Sequence, residues 1–326
     1  MTSTDWCDTE TCLPNHELPE IYRRSEESMT SIQGQLLKLY FKVHLLITPF
    51  PKTLDIKKER AEMDAMAKLF KPLADIDCTH ADIQGIPAEW ITPSIVDRGR
   101  GILYLHGGYF ISGSIESHRH LAGSIAYAAQ AKALIIEYRL APEHRFPAGI
   151  EDALTAYQWM LAQGYEPGQI FLAGDSAGGG LVLSCLLALK ERNLPLPAGG
   201  VCLSPAIDLT FSGESWKKNL KKELIVNPYT ADKLQSIYLG DVHARSPLAS
   251  PLFGDLPGLP PILIQVGSDE MLLSDAQQFA ERAKQAGVEV KLEVWPGMQH
   301  VWQYAASRLP EGRQAIERIG EFIRQH

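Results

Sequence analysis

The sequence predicts an α/β domain built on a mostly parallel sheet with helices on both faces, and three observations carry that prediction. After about residue 80, short β-rich runs alternate with helix-length segments, the order that right-handed crossovers between parallel strands require. Three of those runs, "GILYLH", "ALIIEYR" and "IFLAGD", are apolar at nearly every position, as strands covered on both faces must be. Before residue 80 lie two more helical segments with no strand between them, which read as an N-terminal helical cap.

In chain order, the first helical segment spans 19–47 and the second 55–73, separated by the "TPFPK" break. The first is apolar on almost every side near its end, through Leu36, Leu37, Leu39, Tyr40, Phe41, Val43, Leu45, Leu46 and Ile47. Such a helix is expected to be covered on most faces, as core packing or as a lid over an apolar cleft. Strand-like runs follow at "GIPAEWIT", "GILYLH", "ALIIEYR", "IFLAGD", "VCLSP", "ILIQVG" and "VEVKLEVW". Helical patterns fall between and after them at 117–130, 147–163, 177–192, 272–286 and 311–324. One connection, between "LSPAIDL" and "PPILIQVG", runs to about 50 residues with its own helix at 230–238, too long for a simple loop. The expected organisation is therefore a cap over 1–80, joined by an insertion at about 208–245, on an α/β domain over 81–326.

A chain of 326 residues with 45 % hydrophobic and 21 % charged residues has the composition of a folded α/β domain. The formal charge of −8 supplies no basic excess to displace counterions, which excludes nucleic acid as the expected partner. Lys217, Lys218, Lys221 and Lys222 sit among acids and read as a solvated helix face. The five cysteines are odd in number and lack zinc-ligand spacing; Cys185 and Cys202 lie in apolar runs and read as small buried residues. Cys7 and Cys12 stand in an acidic leader without a signal-peptide pattern, and "LLKLYFKVHLLITPF" is too short and charged to span a bilayer. The expectation is a cytoplasmic protein with no transmembrane segment; a homodimer is compatible with the sequence.

"IFLAGDSAGGGLVL" places Gly174-Asp175-Ser176-Ala177-Gly178, a G-x-S-x-G pattern, between an apolar strand and a helical run. A tight strand-to-helix turn forces its central residue into a strained conformation and lifts that side chain above the sheet edge. Two other readings exist for such a glycine-rich stretch. A phosphate loop lacks its lysine, and a dinucleotide fingerprint lacks its G-x-G-x-x-G spacing. A purely structural turn remains the bland alternative to a nucleophile at Ser176.

A serine nucleophile needs a base, and the base needs an acid to fix its tautomer. In a strand–turn–helix elbow the chain order is serine, acid, histidine. Downstream of Ser176 stand only His243, His300 and the terminal His326, and His300 alone follows a strand and turn, "VKLEVWPGMQ". For the acid, "ILIQVGSDEMLLSD" offers Asp269, Glu270 and Asp275; Asp269, just past the strand, is the expected choice and Glu270 its nearest rival. Upstream, "LYLHGGYFISGS" ends a strand at His106 and follows it with Gly107 and Gly108, whose N–H groups are expected to form an oxyanion hole with that of Ala177. His106 is expected to hold this loop rather than to act as base. Tyr109, Phe110, Asp175, Ala206 and Trp302 are candidate substrate-binding residues, with Met298 beside them. Glu143 and His144 in "APEHRFP" read as turn chemistry between prolines.

"YLHGGYFISGS", "YRLAPEHRFPAGIEDA", "GDSAGGG", "LSPAIDL", "VGSDEMLLSDA" and "PGMQHVW", in that order from about Gly85 to the C-terminus, resemble the hormone-sensitive-lipase-like family of α/β-hydrolases, bacterial family IV. The resemblance implies an α/β-hydrolase fold with an N-terminal helical cap. It implies a serine carboxylesterase with Ser176 as nucleophile, Asp269 as acid, His300 as base, and Gly107, Gly108 and Ala177 at the oxyanion. The implied partner is a small-molecule ester, with no metal and no cofactor. Lactone hydrolysis or deacetylation by the same triad is the near alternative. A non-catalytic receptor on the same fold is the remote one, disfavoured by His300. Many family members carry a large aromatic residue after "LSP"; here Ala206 follows Pro205, which reshapes the pocket.

Overall fold

The computed structural model describes residues 30–67, 73, 75–97 and 99–326. Cys7, Cys12, residues 19–29 of the first expected helix and 68–72 of the second lie outside the described residues. Eight strands follow one another along the chain: β1 (Ile76–Ile83), β2 (Ile86–Pro93), β3 (Gly101–Leu105), β4 (Lys132–Ile136), β5 (Ile170–Asp175), β6 (Gly199–Leu203), β7 (Ile262–Gly267) and β8 (Val290–Trp295). They form one sheet in the order β1-β2-β4-β3-β5-β6-β7-β8. β1–β2 and β2–β4 pair antiparallel, and every pairing from β4 through β8 is parallel.

Two helices precede the sheet, α1 (Ile32–Ile47) and α2 (Ile56–Ala67). The sheet is covered by α3 (Ile115–Ala129), α4 (Ala148–Ala162), α5 (Ala177–Glu191), α8 (Leu273–Gln285) and α9 (Pro310–Gln325). Between β6 and β7 the insertion carries α6 (Ser215–Lys218) and α7 (Pro228–Leu234), the latter continuing as a π-helical turn to Leu239. Strand residues alternate between two core layers. Leu103, Leu105, Leu172 and Ile264 face α4, α5 and α8, whereas Ile102, Tyr104, Phe171 and Val201 face α3 and α9. Burial on both faces is why β3, β5, β6 and β7 are apolar at nearly every position, with Gln265 inside β7 and Asp175 at the end of β5 the polar exceptions. No helix among the described residues is long and apolar enough to cross a membrane.

Two expectations change. The expected boundary at residue 80 falls inside β1, a strand the apolar pattern does not reveal. β1 is an edge strand whose burial is slight, so its sequence "IDCTHADI" carries no continuous apolar run. It pairs with β2 through a two-residue turn in which Gln84 and Gly85 both have positive φ, 55° and 89°. The second change concerns α1, which is not covered on most faces. Gly34 is buried and Leu37, Lys38, Phe41 and Leu45 are half-buried, a single stripe lying against the α/β domain. Ile32, Leu36, Leu39, Tyr40, Val43, Leu46 and Ile47 face outward, with Leu46 84 % exposed. Near its N-terminus α1 is tied to α9, where Glu311 accepts from the Ser31 N–H at 2.6 Å and from its hydroxyl at 2.8 Å. α2 is fixed by Arg60, which pairs with Glu143 at 2.7 Å and donates to the carbonyls of Ile111 and Ala141. Glu143 thus joins α2 to the loop after β4.

Because Leu46 makes so little contact, Leu46→Gln should change the unfolding free energy by less than about 0.5 kcal/mol. Urea denaturation checks this, and a loss of about 2 kcal/mol, the size of a buried-leucine truncation, would contradict the exposed setting.

Candidate active site

β5 ends at Asp175 and α5 begins at Ala177, so the whole reversal of direction falls on Ser176. Its backbone lies at φ 54°, ψ −118°, a conformation that costs a non-glycine residue about 1–3 kcal/mol. Backbone hydrogen bonds hold it there: Ser176 N–H donates to the Leu203 carbonyl at 2.8 Å, and its own carbonyl accepts from Ala206 at 2.9 Å and Gly180 at 3.0 Å. The glycines let α5 approach the sheet. A Cβ on Gly178 would stand 1.9 Å from the Leu105 carbonyl oxygen, and one on Gly174 would stand 2.6 Å from the backbone of Gly178.

The turn presents the Ser176 hydroxyl to the loop after β8. His300 Nε2 lies 2.9 Å from Ser176 Oγ, and His300 Nδ1 lies 3.0 Å from Glu270 Oε2. The carboxylate behind the imidazole is therefore Glu270, and the expectation of Asp269 is corrected. Asp269 points away from His300, pairing with the Lys38 ammonium of α1 and receiving the Gln299 amide at 3.5 Å. Glu270 is fully buried, and its other oxygen accepts from the Ser204 hydroxyl at 2.8 Å and from Gly267 N–H at 2.5 Å. Ser204 Oγ also accepts from Val301 N–H at 3.1 Å, so one hydroxyl braces both loops. With Nδ1–H donating to Glu270, Nε2 is left as acceptor for the serine hydroxyl. Burial alone would press His300 toward neutrality; the hydrogen bond and charge of Glu270, with Glu223 and Asp175 further off, outweigh it and hold its pKa above the ordinary 6.5.

The loop after β3 divides its N–H groups. Gly107 donates to Asp175 Oδ1 and His118 Nε2, both at 3.2 Å, so its N–H is committed within the protein and the expectation of Gly107 at the oxyanion is corrected. Its small size serves packing, since a Cβ there would stand 2.4 Å from Asp175 Oδ2. The N–H groups of Gly108, Tyr109 and Ala177 donate to no other described residue. Tyr109 and Phe110 both take left-handed backbone, φ 56° and 61°. Their rings anchor that strain: Tyr109 Oη accepts from Asn227 N–H at 2.8 Å, and Phe110 stacks on Tyr238 with centroids 4.1 Å apart. Asp175 is buried and bonded to Tyr104 Oη at 2.7 Å and to His118, so it supports the loop and does not reach the pocket. Although burial raises its pKa, His118, Tyr104 and His106 together draw it below the usual carboxylate range. His106 is stacked on Tyr138, and burial lowers its pKa to about 3, so it is a neutral fixture of the loop.

Ser176 and Ala177 open into a small apolar pocket. Tyr109, Phe110 and Ala206 line one side, and Phe211, Trp216 and Leu234 from the insertion line the other. Trp216 is fixed by its indole N–H, which donates to Asp275 at 3.1 Å; burial raises the Asp275 pKa to about 7. Trp302 and Met298 are not in this pocket. Both are buried in a cluster with Trp295, Leu309 and Ala315, on the far side of the turn that carries His300. Sequence reading also missed Ser204 and Glu223. Ser204 has φ 45° directly before Pro205, and only its hydroxyl in "LSP" signals it. Glu223 is buried in the insertion, where desolvation raises its pKa and the His300 charge opposes the rise.

A family model described as the alpha/beta hydrolase fold matches residues 102–304. An acetyl-hydrolase of Streptomyces hygroscopicus is 45 % identical over 269 residues, covering 82 % of this chain and 88 % of its own. An esterase of Acinetobacter venetianus is 35 % identical, covering 89 % and 97 %. Among solved structures, an esterase from the bacterial hormone-sensitive lipase family superposes with a TM-score of 0.86 at 44 % identity, over 91 % of this chain and 99 % of that one.

The close approach at Gly178 gives the next test. Gly178→Ala forces a methyl group into the Leu105 carbonyl and should destabilise the fold by at least about 2 kcal/mol, read from urea unfolding. An alanine variant as stable as the parent would show that α5 does not sit this near β3.

Proposed function

Because this chain belongs to the hormone-sensitive-lipase-like branch of the α/β-hydrolases and is a carboxylic ester hydrolase, we propose that it cleaves short-acyl esters through Ser176, His300 and Glu270. The observation that carries this reading is the continuous hydrogen-bonded chain from Ser176 Oγ through His300 to Glu270 at the mouth of a small apolar pocket. His300 Nε2 takes the hydroxyl proton as Ser176 Oγ attacks the ester carbonyl, and Glu270 stabilises the imidazolium that forms. The tetrahedral oxyanion is received by the N–H groups of Gly108, Tyr109 and Ala177. His300 returns the proton to the leaving alcohol, leaving an acyl-Ser176 ester. Water, deprotonated by the same nitrogen, then releases the carboxylic acid and regenerates the hydroxyl.

The acyl chain lies among Phe110, Ala206, Phe211, Trp216 and Leu234. The pocket is small and lined by apolar side chains, Trp216 among them, which favours acetyl to butyryl groups over long chains. Removal of an acetyl group from a larger alcohol or amine is a second reading, favoured by the similarity to the Streptomyces acetyl-hydrolase.

Three variants measured on p-nitrophenyl butyrate separate the roles. Ser176→Ala and Glu270→Gln should each lower kcat by about 10³-fold or more, whereas Asp269→Asn should stay within about 30-fold. A benign Glu270→Gln beside a crippled Asp269→Asn would return the acid role to Asp269. The pH profile supplies an independent check, since only neutral His300 is a base and its pKa is raised. The parent kcat/KM should fall on acidification with a midpoint above 6.5. A profile flat down to about pH 5 would exclude His300 as the base.

A further inference from the structure

Three of the four residues next to Glu270 and His300 in sequence are bound to α1 or to the insertion. Asp269 precedes Glu270 and pairs with Lys38 of α1. Gln299 precedes His300; its Nε2 reaches Asp269, and its Oε1 accepts from Leu224 N–H of the insertion at 3.0 Å. Met271 follows Glu270 and donates its N–H to Glu223 Oε2 at 3.2 Å, while Glu223 Oε1 binds Ile225 and Val226 N–H of the insertion. Both cap segments thus end on the two short loops that carry the acid and the base.

We propose that Asp269 is a positioning residue, paired with Lys38, through which the cap helix α1 holds Glu270 and His300 in register with Ser176. Asp269 and Gln299 are each more than 90 % buried, so a carboxylate left without its ammonium has little water to turn to. It would draw on the Gln299 amide, its other donor among the described residues, and so move the loop of His300 and, through its own backbone, that of Glu270. A base displaced by a fraction of an ångström from a serine hydroxyl loses turnover, while the acyl pocket, built from other residues, keeps its affinity. The pair therefore makes turnover depend on α1 being seated. This rests on Glu270 being the acid partner of His300, as proposed above.

The test measures kcat and KM for p-nitrophenyl acetate in Lys38→Met, Lys38→Arg, Asp269→Asn and Glu270→Gln, with urea unfolding of each. Lys38→Met and Asp269→Asn should lower kcat about tenfold with KM changed less than about twofold, and Lys38→Arg should recover most of kcat. A kcat loss below about threefold in Lys38→Met or Asp269→Asn, a change confined to KM, or an arginine that recovers nothing, overturns the proposal. Glu270→Gln separates the two failures. If it loses activity by about 10³-fold while the Lys38 and Asp269 variants behave as the parent, only the role of the ion pair fails. If it is benign, the acid assignment itself fails.

Discussion

The geometry of the site depends on how closely α5 approaches the C-terminal ends of β3 and β6. Only glycine at 174 and 178 leaves room for that approach, and it places the whole chain reversal on Ser176. The strain in the serine backbone is held by hydrogen bonds to Leu203 and Ala206. The reacting oxygen is consequently fixed by the sheet itself. Everything else in the site is brought to it by loops leaving the same edge, as expected of ligand sites in open α/β sheets.

The second layer of the site is polar and buried, and each member has more than one partner. Ser204 binds both Glu270 and Val301, Asp175 gathers Tyr104, His118 and Gly107, and Glu223 joins the insertion to Met271. Such groups are costly to bury singly but rigid when fully bonded. They explain how two loops from different strands meet at His300, while the rings of Tyr109 and Phe110 hold the strained loop after β3. α1 and the insertion contribute to this layer through Lys38, Leu224 and Glu223, and the insertion also lines the apolar pocket beside Ser176.

Most of the fold was legible because doubly covered strands are continuous apolar runs and the helices between them are long. β1 was not, since a half-exposed edge strand has no such run and only the Gln84–Gly85 turn marks it. α1 misled because apolar residues on all sides imply burial, whereas this helix rests on the domain by one stripe. At the site, motif order led to Ser176 and His300, which the structure brings to 2.9 Å of one another. Asp269 and Glu270 were indistinguishable, because adjacent loop residues point in different directions and spacing does not encode which. Gly107 misled in the same manner: its missing Cβ answers to Asp175, so the free N–H groups lie one residue further on, at Gly108 and Tyr109. Trp302 faces the cluster beneath the turn, a direction set by the short helix it begins.

The central claim is that Glu270, and not its neighbour, holds the imidazole that faces Ser176. Proton NMR observes that bond directly, as a far-downfield resonance from the His300 Nδ1 proton, shielded from exchange by burial and by its carboxylate partner. The account predicts this resonance in the parent and in Asp269→Asn, and its loss or large upfield shift in Glu270→Gln. A resonance that survives in Glu270→Gln and vanishes in Asp269→Asn would contradict it.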